Sequence, residues 1–197
     1  MKSLRSFLPL LTLLALAVAP AQAQETALAS DFKLRDQANQ EVSLAKFKDK
    51  KAIVVIFTSA HCSWATKYEE RIKAIYQTYQ AKNIAFIAIN SNDSSMSVTD
   101  AAARIRQDSP YAFSYLKDDD QAVARLFKVT KTPEVVVLTP SAGRFLISYR
   151  GKIDDNPLDS NMVRNNYLTD ALEAILAGKR PATPETPASG CNIRWMN

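Results

Sequence analysis

Six apolar residues in succession, Ala52 to Phe57 (AIVVIF), are followed by a change of period. An unbroken, β-branched run of this length suits a strand buried on both faces, as in a parallel sheet covered by helices. From Cys62 to Ala81, Trp64, Tyr68, Ile72, Ile75 and Tyr79 recur at three- and four-residue steps, while Lys67, Glu69, Glu70 and Lys73 lie elsewhere. That spacing predicts an amphipathic helix with the first five facing a sheet. Ile84 to Ile89 (IAFIAI) repeats the strand pattern. Strand, helix and strand at this spacing form a right-handed βαβ unit, so the fold class is α/β.

The remaining elements are weaker. Phe32 to Leu44 alternates around a polar turn and predicts an N-terminal hairpin or edge element. Asn90 to Ser97 is a polar loop, after which Thr99 or Asp100 is placed to cap a helix running to about Arg106. Tyr111 to Leu116 is aromatic and without period. Asp118 to Asp120 put acids at the start of a short helix, QAVARLF, where the dipole favours them. Thr132-Pro133 opens a strand, Glu134 to Leu138, whose hairpin partner is Phe145 to Tyr149. Asn165 to Ala177 is the last helix, with Gly178 at its C-terminal cap.

Both ends depart from this pattern. Lys2 and Arg5 precede an apolar run, Phe7 to Val18, and Ala21-Gln22-Ala23 supplies a cleavage site. Residues 1–23 therefore read as a secretory signal and 24–178 as a single domain. Residues 179–197 read as a Pro-rich linker and tail carrying Cys191. The linker holds Pro181, Pro184 and Pro187, and it ends in GCNIRW, whose Ile193 and Trp195 suit an anchor that docks back. The expected location is exported, periplasmic or extracellular, with no membrane association after signal cleavage. Losing the signal lowers the formal charge from +5 to +3. With mixed charges and no sustained basic patch, that leaves no nucleic-acid signature.

The candidate chemistry lies at the end of the first buried strand. Reactive groups in α/β sheets gather at the carboxyl ends of parallel strands. Cys62 falls there, on the first turn of the following helix, where unpaired N–H groups and the helix dipole favour a thiolate. His61, the chain's one histidine, adjoins it and can act as imidazolium or as a proton acceptor, or stand alone on the surface. Cys62 and Cys191 are the two cysteines, so one intramolecular partnership is open to them. The linker's reach permits it without requiring it. Asp154-Asp155-Asn156 has turn-forming composition, with its function left open.

The stretches IFTSAHCSWATKYEERI, IAINSND, KTPEVVVL, YRGKIDDN, YLTDALEAILAGK and GCNIRW cover most of the chain beyond residue 23. Together they resemble the thioredoxin superfamily, in particular an uncharacterised bacterial group of peroxiredoxin-like redoxins. The resemblance implies a thioredoxin-like fold, a central mixed β-sheet flanked by helices, with a C-terminal tail. It aligns Cys62 with the attacking cysteine of the Cys-x-x-Cys pair, and Pro133 with the cis-proline packed against it. Thr132, Pro133 and Trp64 are then the candidate substrate-binding residues. It also shows departures. Ala65 stands where the second cysteine of the pair would be. Ser59 to Cys62 keeps the Ser/Thr-x-x-Cys pattern of peroxiredoxins without the proline that precedes it, and some relatives carry a cysteine where Ser59 stands.

Three functional readings follow. In the first, Cys62 attacks a protein disulfide or a small-molecule oxidant and Cys191 resolves the product, with His61 assisting and no cofactor. The redox partner is undetermined. In the second, Cys62–Cys191 is a permanent staple in a non-catalytic binding module. In the third, a minor one, His61, Cys62, Cys191 and Met96 or Met196 form a soft copper site.

Overall fold

The computed structural model describes residues 28–197, so the signal-like stretch lies outside the described residues. An eight-stranded mixed sheet runs in the order β1-β9-β8-β4-β5-β6-β2-β3. Its strands are β1 (Leu28–Ala29), β2 (Lys33–Arg35), β3 (Glu41–Ser43), β4 (Ala52–Phe57), β5 (Ile84–Asn90), β6 (Ser114–Lys117), β8 (Glu134–Ser141) and β9 (Arg144–Gly151). Helices α1 (Ser63–Tyr79), α2 (Ala102–Asp108), α3 (Ala122–Phe127) and α4 (Tyr167–Leu176) flank it. A separate two-stranded ribbon pairs β7 (Lys131–Thr132) with β10 (Cys191–Asn192). This is a thioredoxin-like fold.

Strand β4 is the spine. It pairs in parallel with β5 and antiparallel with β8, and all six of its residues are buried. Because side chains alternate along a strand, β4 feeds two separate cores. Ala52, Val54 and Ile56 pack with Tyr68 and Ile72 of α1 and with Leu168 and Leu172 of α4. Ile53, Val55 and Phe57 face the other way, with Val123 and Phe127 of α3 and, from the tail, Ile193 and Trp195.

Three local expectations change. The segment from Tyr111 contains a true strand, β6, paired in parallel with β5; Tyr115 and Leu116 are buried in opposite cores. Trp64 does not face the sheet. It is exposed on the first turn of α1, and Ala65 takes the buried position there. Neither Thr99 nor Asp100 caps α2, whose N-cap is Ala101. Asp100 is withdrawn into the interior, where side-chain donors satisfy it better than an exposed helix end would.

The Pro-rich linker is also pinned rather than free. Arg150 of β9 bonds through its backbone to Pro184 and Thr186. The Thr186 hydroxyl accepts from the Lys152 amide and meets the Tyr149 hydroxyl. Gly151 makes this close approach possible: its φ is +129°, and a Cβ there would collide with Thr186.

Candidate functional site

Cys62 is the N-cap of α1. Its amide donates to the Ser59 carbonyl, and its own carbonyl accepts from Thr66. The loop Thr58 to His61 carries the chain from the end of β4 into the helix, so the sulfur sits at a positive helix terminus. It is bonded to Cys191, with the two Cα atoms 5.8 Å apart across 129 residues of sequence. Cys62 is 2% exposed, while Cys191 is only partly buried. The pair closes against the Thr132–Pro133 peptide, which is cis. Cys62 Sγ lies 3.1 Å from the Thr132 carbonyl oxygen. A disulfide sulfur carries no proton, so this is a contact; on reduction the same oxygen can accept from the thiol. The Thr132 hydroxyl is buried with no partner.

The tail is held residue by residue. Cys191 pairs with Thr132 and Asn192 with Lys131 in an antiparallel ladder, and the Ile193 amide continues it to Thr130. Ile193 is 3% exposed in the second core. The Arg194 amide donates to Asn92, and its carbonyl accepts from the Asp93 amide and from Gln121. The Met196 amide donates to Gln121 as well. Trp195 stacks under the Arg125 guanidinium, 4.6 Å from its ring centroid.

Beneath the loop, a buried polar network joins the cysteine to the tail. The Ser59 hydroxyl donates to Asp100 and accepts from the His61 amide and from Asn92. Asn90 and Asn92 also donate to Asp100, and Lys117 reaches the Asn92 carbonyl at 2.5 Å. Burial pulls the Lys117 ammonium below its ordinary range; Asp119, Asp100, Asp118 and Asp93 oppose that. Burial pushes the Asp118 carboxyl up, against hydrogen bonds from Ser91, Ala124 and Val123. Glu134, next after Pro133, is likewise raised by burial, with Arg150 and the Thr130 backbone opposing.

Of the residues singled out from sequence, Cys62, Cys191, Thr132 and Pro133 meet at one point. His61 is exposed, with Nδ1 3.5 Å from the Ser97 hydroxyl, and makes no hydrogen bond to the sulfur among the described residues. Trp64 lies on the first turn of α1, exposed. The copper set is not assembled. Both cysteines are spent on each other, Met96 and Met196 are exposed, and no group of three or more His, Cys, Asp or Glu among the described residues is arranged to hold a metal ion. Asp154 is buried against Tyr68 and Arg71, away from the cysteines. Asn92, Asp100 and Gln121 were not legible as site residues. The one signal, for Asn92 alone, is its place in an Asn-Ser-Asn run at the end of a buried strand.

The family model for AhpC/TSA matches residues 26–156. The chain belongs to the AhpC/TSA family. A thiol-based redox function follows at the family level. A hypothetical protein from Sinorhizobium meliloti is 32% identical, over 87% of this chain and 94% of that one, at a TM-score of 0.78. An uncharacterized conserved protein from Geobacillus kaustophilus is 27% identical, over 87% and 92%, at 0.80. A putative thiol:disulfide interchange protein DsbE from Chlorobium tepidum is 17% identical, over 79% and 96%, at 0.55, and shares the fold. Comparison with curated proteins gives no match. The AhpC/TSA match ends before α4, so the tail that closes on Cys62 lies beyond it.

Gly190 decides whether the tail seats. Its φ is +145°, and a Cβ there would collide with the Thr132 carbonyl. Gly190→Ala should therefore shift the Cys62–Cys191 equilibrium toward the dithiol by about 5- to 150-fold, since about 1–3 kcal/mol of backbone strain is at stake. Equilibration with a glutathione buffer and thiol counting read the shift. An unchanged midpoint would mean that the ribbon adapts around the new methyl group.

Proposed function

We propose that this AhpC/TSA-family chain is an exported thiol-disulfide oxidoreductase, with Cys62 as the attacking sulfur and Cys191 as the resolving one. The observation that carries the reading is the meeting of the chain's two cysteines at a helix N-terminus beside the cis Thr132–Pro133 bond. In the reduced protein the Cys62 thiolate attacks one sulfur of a partner disulfide. A mixed disulfide forms and the partner's other sulfur leaves as thiolate. Cys191, as thiolate, then attacks Cys62 Sγ, releasing the partner's remaining thiolate and restoring the internal bond. Two electrons pass from the protein dithiol to the partner, and a dithiol reductant returns them.

Cys62 is too buried for a partner to reach with the tail seated, so once the bond is reduced the tail must lift transiently. That exposes the Lys131–Thr132 edge, where an extended partner segment can pair in place of β10, flanked by Trp64. With a hydroperoxide the same pair works as a peroxidase. Cys62 becomes a sulfenic acid as the peroxide leaves as an alcohol, and Cys191 condenses with it, releasing water. Ser59, at the family's Ser/Thr-x-x-Cys position, supports this second reading.

The test is alkylation of reduced Cys62 against pH, with trapping in Cys191→Ser. The expected midpoint lies below about 8.5, the ordinary thiol value, and Cys191→Ser accumulates a mixed disulfide with a client peptide through Cys62. A bond that resists dithiol reductants in the native protein, or a Cys62 inert across that range, makes the disulfide a permanent staple in a binding module.

A further inference from the structure

Behind the Cys62 loop, α1, α2 and the segment leading into β6 enclose a cavity of about 160 Å³, with Ser59 and Ala60 in its wall. No residue of the tail lines it. It therefore exists whether or not Cys191 is docked, and it plays no part in the exchange described above.

The cavity holds polar groups that the fold leaves unpaired. Tyr111 is 6% exposed, and its hydroxyl meets no partner within hydrogen-bonding geometry. A buried hydroxyl without a partner is costly, and proteins rarely leave one so. Burial pushes the phenol upward; the Thr58 hydroxyl, close by but outside hydrogen-bonding geometry, works against that, and the Glu69 charge adds to it. Glu69, half-buried on α1, enters none of the ion pairs found among the described residues. Burial raises its carboxyl too, with Lys73 opposing and Glu70 adding. Arg104 and Asp108 complete the lining from α2. They are joined by an exposed i,i+4 ion pair, which is weak enough to open toward a ligand.

The cavity thus sets an unpaired carboxylate and two hydroxyls near an available guanidinium, with Ile105 and Pro110 as apolar wall. Its volume equals about five waters at ~30 Å³ each, which suits a small organic molecule. We propose that this cavity binds a small zwitterion, a free α-amino acid, with its ammonium on Glu69 and the Tyr111 hydroxyl and its carboxylate on Arg104. The ammonium answers Glu69, and the carboxylate takes the Arg104 guanidinium over from its exposed pair with Asp108.

The test uses L-serine, which is redox-silent, as the probe on the oxidised protein. Amide chemical shifts and calorimetry follow its binding, with propionate and ethylamine as half-molecules. The expected result is saturable one-to-one binding with shifts at Thr58, Ala60 and Tyr111, and each half-molecule at least tenfold weaker. Glu69→Gln, on a half-exposed helix position, should weaken L-serine at least fivefold, and so should Tyr111→Phe. Thermal melts check that both variants fold. Absence of saturable binding at millimolar L-serine would mean a cavity filled by water. Half-molecules that bind as well as L-serine, or shifts confined to another surface, would equally overturn the proposal.

Discussion

Reducing the Cys62–Cys191 bond should lower the thermal midpoint by roughly 10–20 °C. The bond spans 129 residues, so it constrains most of the unfolded chain. In the chain-entropy model a loop of that length contributes about 5 kcal/mol. For a chain of this size each kcal/mol moves the midpoint by about 2–4 °C. Ile193, the Arg194 backbone clamp and Trp195 stay available to hold the tail after reduction, so the native side of the balance changes less than the unfolded side. Melts of the oxidised, reduced and Cys191→Ser proteins measure it, and the last two should agree. A fall of under 3 °C would show that the constraint is not carried by the unfolded chain.

Arg71→Ala should destabilise the fold by about 3–5 kcal/mol, the usual result of stripping one partner from a buried ion pair. Asp154 is only 3% exposed and Arg71 18%. The Asp154 carboxylate accepts from the Tyr68 hydroxyl at 2.7 Å and pairs with Arg71, which also donates to the Asn156 carbonyl. Without the guanidinium the carboxylate stays buried, with Tyr68 and the Asn156 amide as its remaining donors. Tyr68→Phe, which leaves the ion pair in place, should cost less, about 1.5–3 kcal/mol. Urea denaturation of both variants gives the comparison. A loss below 1 kcal/mol for Arg71→Ala would mean that water reaches Asp154 freely.

Asp154 also marks the limit of what the sequence discloses. The parallel core was legible because β4 and β5 are unbroken apolar runs, and burial on both faces leaves no other use for such runs. The period of α1 placed Tyr68 and Ile72 inward correctly. It misplaced Trp64, because Ala65 holds the inward-facing position of the first turn and leaves Trp64 on the outer side. β6 was missed because it is only four residues long, although Tyr111, Phe113 and Tyr115 alternate onto one core and Leu116 enters the other. Cys62, Thr132 and Pro133 stood out through their places at strand ends. Asn92, Asp100 and Gln121 did not, since polar residues in loops look alike until the backbone groups they satisfy are known. Asp154, in a sequence typical of turns, is a buried anion for the same reason: its partners lie 83 and 86 residues away.

The division of β4 into two cores has a consequence for how order is distributed in the molecule. Ile193 and Trp195 pack only against the layer that contains α3 and Phe57, while the layer under α1 and α4 receives no side chain from the stretch beyond Cys191. Electron transfer to the disulfide therefore acts on half of the interior. One layer keeps its rigidity in both oxidation states. The other loses its covalent tether on reduction, so local opening, which follows contiguous packed units, reports the redox state on one face of the sheet and is blind to it on the other.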